Sequence, residues 1–132
     1  MAQAQQPIRT PEITATLDEL QKLVLDTRKL VSRQQQFESQ LHECTMVKEE
    51  LDAVKNDDSV YKLHGKVLVR QELSDAKATI TSRLKLIQGE VKKTEHNIKE
   101  AMAKQDTVRE RLQLLSKAQQ MQMQQKLQQQ EA

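Results

Sequence analysis

The sequence predicts a mainly α-helical fold, a long antiparallel two-helix coiled coil with a single β-hairpin at the fold-back. Three observations carry this reading. Only 36% of the 132 residues are hydrophobic and 30% are charged, which is too polar for one compact core of ordinary composition. Two glycines and two prolines leave almost none of the turn punctuation that a sandwich, a barrel or an α/β sheet requires. Apolar residues recur at helical spacing along two long stretches, separated by one short block rich in β-branched residues.

Residues 1–10 are polar, include Pro7, and read as a flexible arm. Thr10-Pro11-Glu12 is a helix start: Thr caps a free N–H, and Pro at the first helical position gives up a donor that had no partner. A coiled-coil helix is expected over 11–56. Its seam has Ile13, Leu20, Thr27, Gln34, Leu41 and Lys48 at a, and Thr16, Leu23, Leu30, Phe37, Cys44 and Leu51 at d. Leu17, Val24 and Val31 widen the stripe on one side. The repeat stops at Asn56-Asp57-Asp58-Ser59, residues that favour turns by bonding their own backbone. A linker and hairpin are expected over 57–70, from Val-Tyr-Lys-Leu and Lys-Val-Leu-Val about a His64-Gly65 break.

Helical spacing resumes for a second coiled-coil helix over 71–118, followed by a frayed, Gln-rich tail over 119–132, all within one domain. The second seam has Leu73, Ile80, Ile87, Thr94, Ala101, Val108 and Leu115 at d, and Lys77, Leu84, Val91, Ile98, Gln105 and Leu112 at a. Gly89 falls on the outward face, where it costs about 1 kcal/mol relative to Ala.

The two seams test each other, because in an antiparallel pair the numbers of facing residues add to a constant. Here the constant is 128: Cys44 meets Leu84, Leu41 meets Ile87, Phe37 meets Val91, Leu30 meets Ile98, Leu20 meets Val108 and Ile13 meets Leu115. Polar Gln34 falls opposite polar Thr94, whereas Leu23 with Gln105 and Thr16 with Leu112 are mixed pairs. Leu63 and Lys66, flanking the expected turn, add to 129. Two periodicities thus place the fold-back at the same point.

The 21 Lys and Arg against 19 Asp and Glu, a formal charge of +2, are interleaved, so neither nucleic acid nor membrane is an expected partner. No run approaches the roughly 18 apolar residues of a spanning helix, and the first residues lack an apolar signal core. A soluble, unsecreted chain is expected, and the single cysteine, Cys44, fits a reducing compartment. His42, His64 and His96 lie in three different elements, and no CxxC or HExxH spacing and no phosphate-cradling glycine loop occurs. No catalytic residue, cofactor or metal site is expected, and the chain does not read as an enzyme.

Two surfaces stand out. A lone hairpin is marginal in water, and Val60, Tyr61, Leu63, Gly65, Val67, Leu68 and Val69 form one with two open edges, an expected assembly element. Both chain ends fall opposite the hairpin, where Ile8, Ile13 and Leu17 approach Leu112, Leu114, Leu115, Met121, Met123 and Leu127. Apolar groups at a frayed tip stay partly exposed, and Met adapts to irregular partners.

The stretches LHECTMVKEELDAV, VYKLHGKVLVRQELSDAKATI and SRLKLIQGEVKKTE resemble the prefoldin β-class subunits over about residues 12–118, the hairpin block being the specific part. Lys66 stands where that family is expected to carry Pro, and Asp75 where it carries Glu. The resemblance implies a subunit of a heterohexamer with two α-class and three further β-class chains, whose hairpins join into β-barrels while the coiled coils hang as tentacles. It further implies a cytoplasmic co-chaperone that holds non-native clients, notably actin and tubulin, at the coiled-coil tips. These would pass to the cytosolic group II chaperonin without ATP. The alternative from the residues alone is a structural coiled-coil adaptor or tether with no client-holding activity.

Overall fold

A computed structural model describes residues 10–55 and 59–130. Its elements follow in chain order: α1 (Pro11–Ala53), β1 (Val60–His64), β2 (Val67–Gln71) and α2 (Leu73–Gln130). Residues 1–9, most of the expected arm, and the Asn56-Asp57-Asp58 turn lie outside the described residues.

The start of α1 is built as its residues dictate. Thr10 Oγ1 accepts the Ile13 backbone N–H at 3.2 Å, and the Thr10 carbonyl accepts the Thr14 N–H at 3.0 Å. Pro11 opens the helix, and Glu12 sits where the helix dipole favours an anion. At the other end the Val54 N–H reaches the Leu51 carbonyl at 3.3 Å, tightening the last turn. The helix closes at Ala53, three residues before the expected 56. By contrast α2 runs to Gln130, well past the expected 118, so residues 119–130 are helix and not a frayed tail. Gln, Met, Lys and Leu fill that segment, all good helix formers with no Gly or Pro to stop them.

The chain divides into two compact units. In the unit Leu30–Asn97, Cys44, Ile80, Leu84 and Ile87 form the buried core, with Phe37, Leu41, Leu51 and Val91 packed against it. All eight are expected seam positions of the two helices. Two assigned seam positions, both lysines, differ. Ala76 is buried, whereas Lys77, assigned to the seam, is half-buried, and Lys48 is exposed. Burying the Ala76 methyl beside the seam leaves the Lys77 ammonium partly hydrated, avoiding the cost of an unpaired buried charge.

In the unit made of the chain up to Lys29 and from Ile98 onward, the buried residues are Ile13, Thr16, Gln105 and Val108. The mixed Leu23 and Gln105 position is resolved by a hydrogen-bond relay. The Gln105 amide donates to Thr27 Oγ1 at 2.6 Å and to the Leu23 carbonyl at 3.4 Å. The Thr27 hydroxyl in turn donates to that same carbonyl at 2.8 Å. Arg109 donates to Gln105 Oε1 at 3.4 Å. Thr16 and, in the other unit, Thr94 are satisfied by the carbonyls of Glu12 and Glu90 on their own helix. Among the described residues no buried side-chain polar atom lacks a partner.

The hairpin turn sits one residue later than expected. The paired residues are Val60 with Gln71, Tyr61 with Arg70, Lys62 with Val69, Leu63 with Leu68 and His64 with Val67, so facing numbers add to 131 rather than 129. Gly65 carries φ of +59°, and no non-glycine residue described has positive φ. Gly at the first central position followed by a negative-φ residue is the type II′ pattern, which draws Lys66 into the turn and leaves His64 on the strand.

The two glycines therefore respond oppositely to substitution. A Cβ at either one meets nothing within 4 Å. Gly89→Ala is expected to stabilise the chain by about 0.5–1 kcal/mol through helix propensity. Gly65→Ala is expected to destabilise it by about 1–3 kcal/mol through backbone strain alone. Thermal unfolding followed by circular dichroism checks the pair, and shifts of the same sign would contradict it. In the core, Leu84→Ala is expected to cost about 2–4 kcal/mol by the same measurement.

Candidate functional site: hairpin edges and helix ends

The hairpin forms an isolated two-stranded sheet. Alternation along the strands, with the observed register, divides its side chains between two faces. Tyr61, Leu63, Leu68 and Arg70 share one face, and Val60, Lys62, His64, Val67, Val69 and Gln71 share the other. Both faces are apolar in part, and neither is covered. Leu63 is 66% exposed and Leu68 64%. Tyr61, Val67 and Val69 are also exposed, and Val60 is half-buried.

Backbone chemistry points outward as well. When two residues close a hairpin, the flanking pair exchanges both ladder hydrogen bonds, and pairs alternate from there. Tyr61 and Leu63 on β1, and Leu68 and Arg70 on β2, therefore turn their N–H and C=O groups away from the partner strand. Two edges with exposed apolar side chains and free backbone groups are templates for another strand.

The helix-end residues behave less uniformly than expected. Ile8 lies outside the described residues. Ile13 is only 7% exposed and belongs to the packed seam, which corrects its assignment to an open tip. The reason is that α2 continues far beyond the seam position expected to face Ile13, so this residue is not at a frayed end. Leu17, Leu112 and Leu115 are half-buried. Leu114, Met121, Met123 and Leu127 are exposed, Met121 by 67%, and every described residue of α2 from Met121 onward is exposed. Spacing by seven puts Leu114 and Met121 on one side of the helix, and spacing by four puts Met123 and Leu127 together on nearly the opposite side. This end of α2 thus offers apolar groups in two directions.

Sequence reasoning overlooked one further patch. Leu20, Val24, Leu25 and Arg28 line a shallow, mainly apolar recess on α1, with Leu25 exposed. Its signal was the outward heptad position of Leu25. Beside it lies the ion pair of Arg111 with Glu19, at 3.2 Å between exposed side chains, which contributes at most about 1 kcal/mol. The three histidines lie in α1, β1 and α2, and Cys44 is buried as a free thiol. Among the described residues no group of three or more His, Cys, Asp or Glu could hold a metal ion, and no helix is long and apolar enough to cross a membrane.

Known proteins share this arrangement. The chain is 39% identical over 105 residues to a probable prefoldin subunit 6 of Caenorhabditis briggsae, covering 80% of this chain and 82% of that one. It is 37% identical over 101 residues to the human prefoldin subunit 6, covering 76% and 78% of the two chains. The fold matches the crystal structure of the prefoldin beta subunit from Thermococcus strain KS-1 with a TM-score of 0.76, at 19% identity, over 83% of this chain and 96% of that one. Residues 14–130 match the family described as prefoldin subunit. Two long helices joined through one exposed hairpin, with a match spanning both helices and the hairpin, place the chain in the prefoldin subunit family.

Proposed function

We infer that the chain is a β-class subunit of a cytoplasmic heterohexameric co-chaperone, built with two α-class and three further β-class chains. The hairpin residues Val60, Tyr61, Leu63, Gly65, Val67, Leu68 and Val69 join other subunits' strands. The exposed end of α2 contributes to holding non-native polypeptides, actin and tubulin among them, for transfer to the group II chaperonin without ATP. The observation that carries this reading is the hairpin, whose two faces and two edges are all uncovered. An adaptor that only tethers partners needs helix and no such sheet. Several tips holding one client at once raise avidity by about 10²–10⁴ without any single strong contact, which suits holding that must later be released.

Assembly and holding separate by mutation. Val67→Asp and Leu68→Asp lie on opposite faces of the hairpin, so at least one places a charge inside any closed barrel and is expected to abolish incorporation. Native mass spectrometry of the tagged chain recovered from its own cells reads this out, and normal incorporation of both variants overturns the hairpin as assembly element. Deleting residues 119–132, or substituting Met121→Ser with Leu127→Ser, is expected to leave assembly and unfolding temperature unchanged. The concentration needed to suppress aggregation of denatured actin should rise several-fold. Ile13→Ala is expected to do the reverse, lowering the unfolding temperature with holding intact in the assembled complex. Unchanged suppression by the α2-end variants would remove this subunit's tip from the holding surface.

A further inference from the structure

The hairpin carries charge of one sign only. Between Ser59 and Gln71 stand Lys62, Lys66 and Arg70, together with His64, and there is no carboxylate. Elsewhere the two signs are interleaved, and the chain as a whole is nearly balanced at +2. None of the three cations has an ion pair among the described residues. Side chains along the two strands and the turn are almost all exposed, so these charges border the edges that await a partner.

The register shows what a second copy would meet. Pairing β1 antiparallel to β1 of another copy, over all five residues and through the outward groups of Tyr61 and Leu63, sets Lys62 directly opposite its own counterpart. Their Cβ atoms would be about 5 Å apart. Pairing β2 with β2 in the same way sets each Arg70 opposite Leu68 and makes the two Arg70 residues diagonal neighbours, about 7–8 Å apart. Pairing β1 with β2 of a copy avoids direct opposition, yet still packs a second hairpin with the same three cations beside the first. The β1–β1 and β2–β2 ladders therefore gather like charge at a distance within the Debye length of physiological salt, about 8 Å.

We propose that the hairpin is a charge-coded docking strand, which selects an acidic strand of a different chain and rejects a second copy of itself. The proposal rests on the hairpin being the assembly element. The partner strand carries Asp or Glu at positions facing Lys62 on the β1 edge or Arg70 on the β2 edge. Apolar side chains and backbone groups supply adhesion, and the cations determine which neighbour is accepted.

The test reverses the charges in the full chain with Lys62→Glu, Lys66→Glu and Arg70→Glu together. Light scattering after size exclusion, at about 50 mM and about 1 M salt, is applied to wild type, variant and an equimolar mixture. Neither alone should associate at low salt. The mixture should form a heterodimer, with about tenfold or greater preference over either homodimer, and lose it at high salt. A mixture with no preference, or wild type that dimerises at low salt as readily as the mixture, overturns the proposal and leaves the cations as simple protection of an open edge. The expected result is a gained one-to-one complex that high salt dissolves, unlike the salt-resistant association of misfolded chains, so it does not depend on the variant losing something. In cells, Leu63→Asp with Leu68→Asp separates the two levels of the argument. Normal incorporation of that variant overturns the assembly role itself, whereas its failure to incorporate while the charge-reversed chain assembles normally overturns only the charge code.

Discussion

A two-stranded sheet leaves half of its backbone hydrogen-bonding groups facing outward, and nothing within this chain's described sheet meets them. That deficit organises the rest of the molecule. The hairpin could not persist alone in water, so it is pinned by a type II′ turn at Gly65 and continued into α1 and α2 by short connections. The helices have their own need, since each is stable only where a narrow stripe is buried against the other. Folding of the single chain completes the stripe and leaves both edges of its described sheet open.

The stripe itself is uneven. In the unit holding Cys44, Ile80, Leu84 and Ile87 the seam is apolar and contiguous. In the other unit, buried Thr16 and Gln105 accompany buried Ile13 and Val108. Thr16, Thr27 and Thr94 donate to carbonyls one turn back on their own helices, so separating the helices at these points exposes no orphaned hydroxyl. Gln105 differs, because its amide is satisfied across the seam by Thr27 and Leu23. Such a polar group fixes register more than it adds stability.

Much of this was legible in the sequence because a 3.5-residue period admits few readings. The facing of Phe37, Leu41 and Cys44 with Val91, Ile87 and Leu84 followed from number alone, and the packed cluster contains all six. The errors arose where period and chemistry part. Lys77 satisfied the heptad but not the cost of burying an ammonium, and Ala76 took its place. The turn moved to Gly65-Lys66 because backbone handedness, rather than alternation of side chains, decides which residue occupies the positive-φ position. The end of α2 was read from its polarity as frayed, whereas Gln and Met are good helix formers even when nothing packs on them. Ile13 was misplaced in consequence. Both strand edges were foreseen, but the split of Val67 and Leu68 between faces required the observed register.

The single tyrosine has an optical consequence. The chain has no tryptophan, one tyrosine and one phenylalanine, and Tyr61 stands on the hairpin, more than half exposed. Intrinsic ultraviolet fluorescence of the chain is therefore a signal from one strand, silent about both helices. Docking of a neighbouring strand would change the polarity and quenching around that single phenol, so the chain carries its own label on the hairpin proposed to join other subunits.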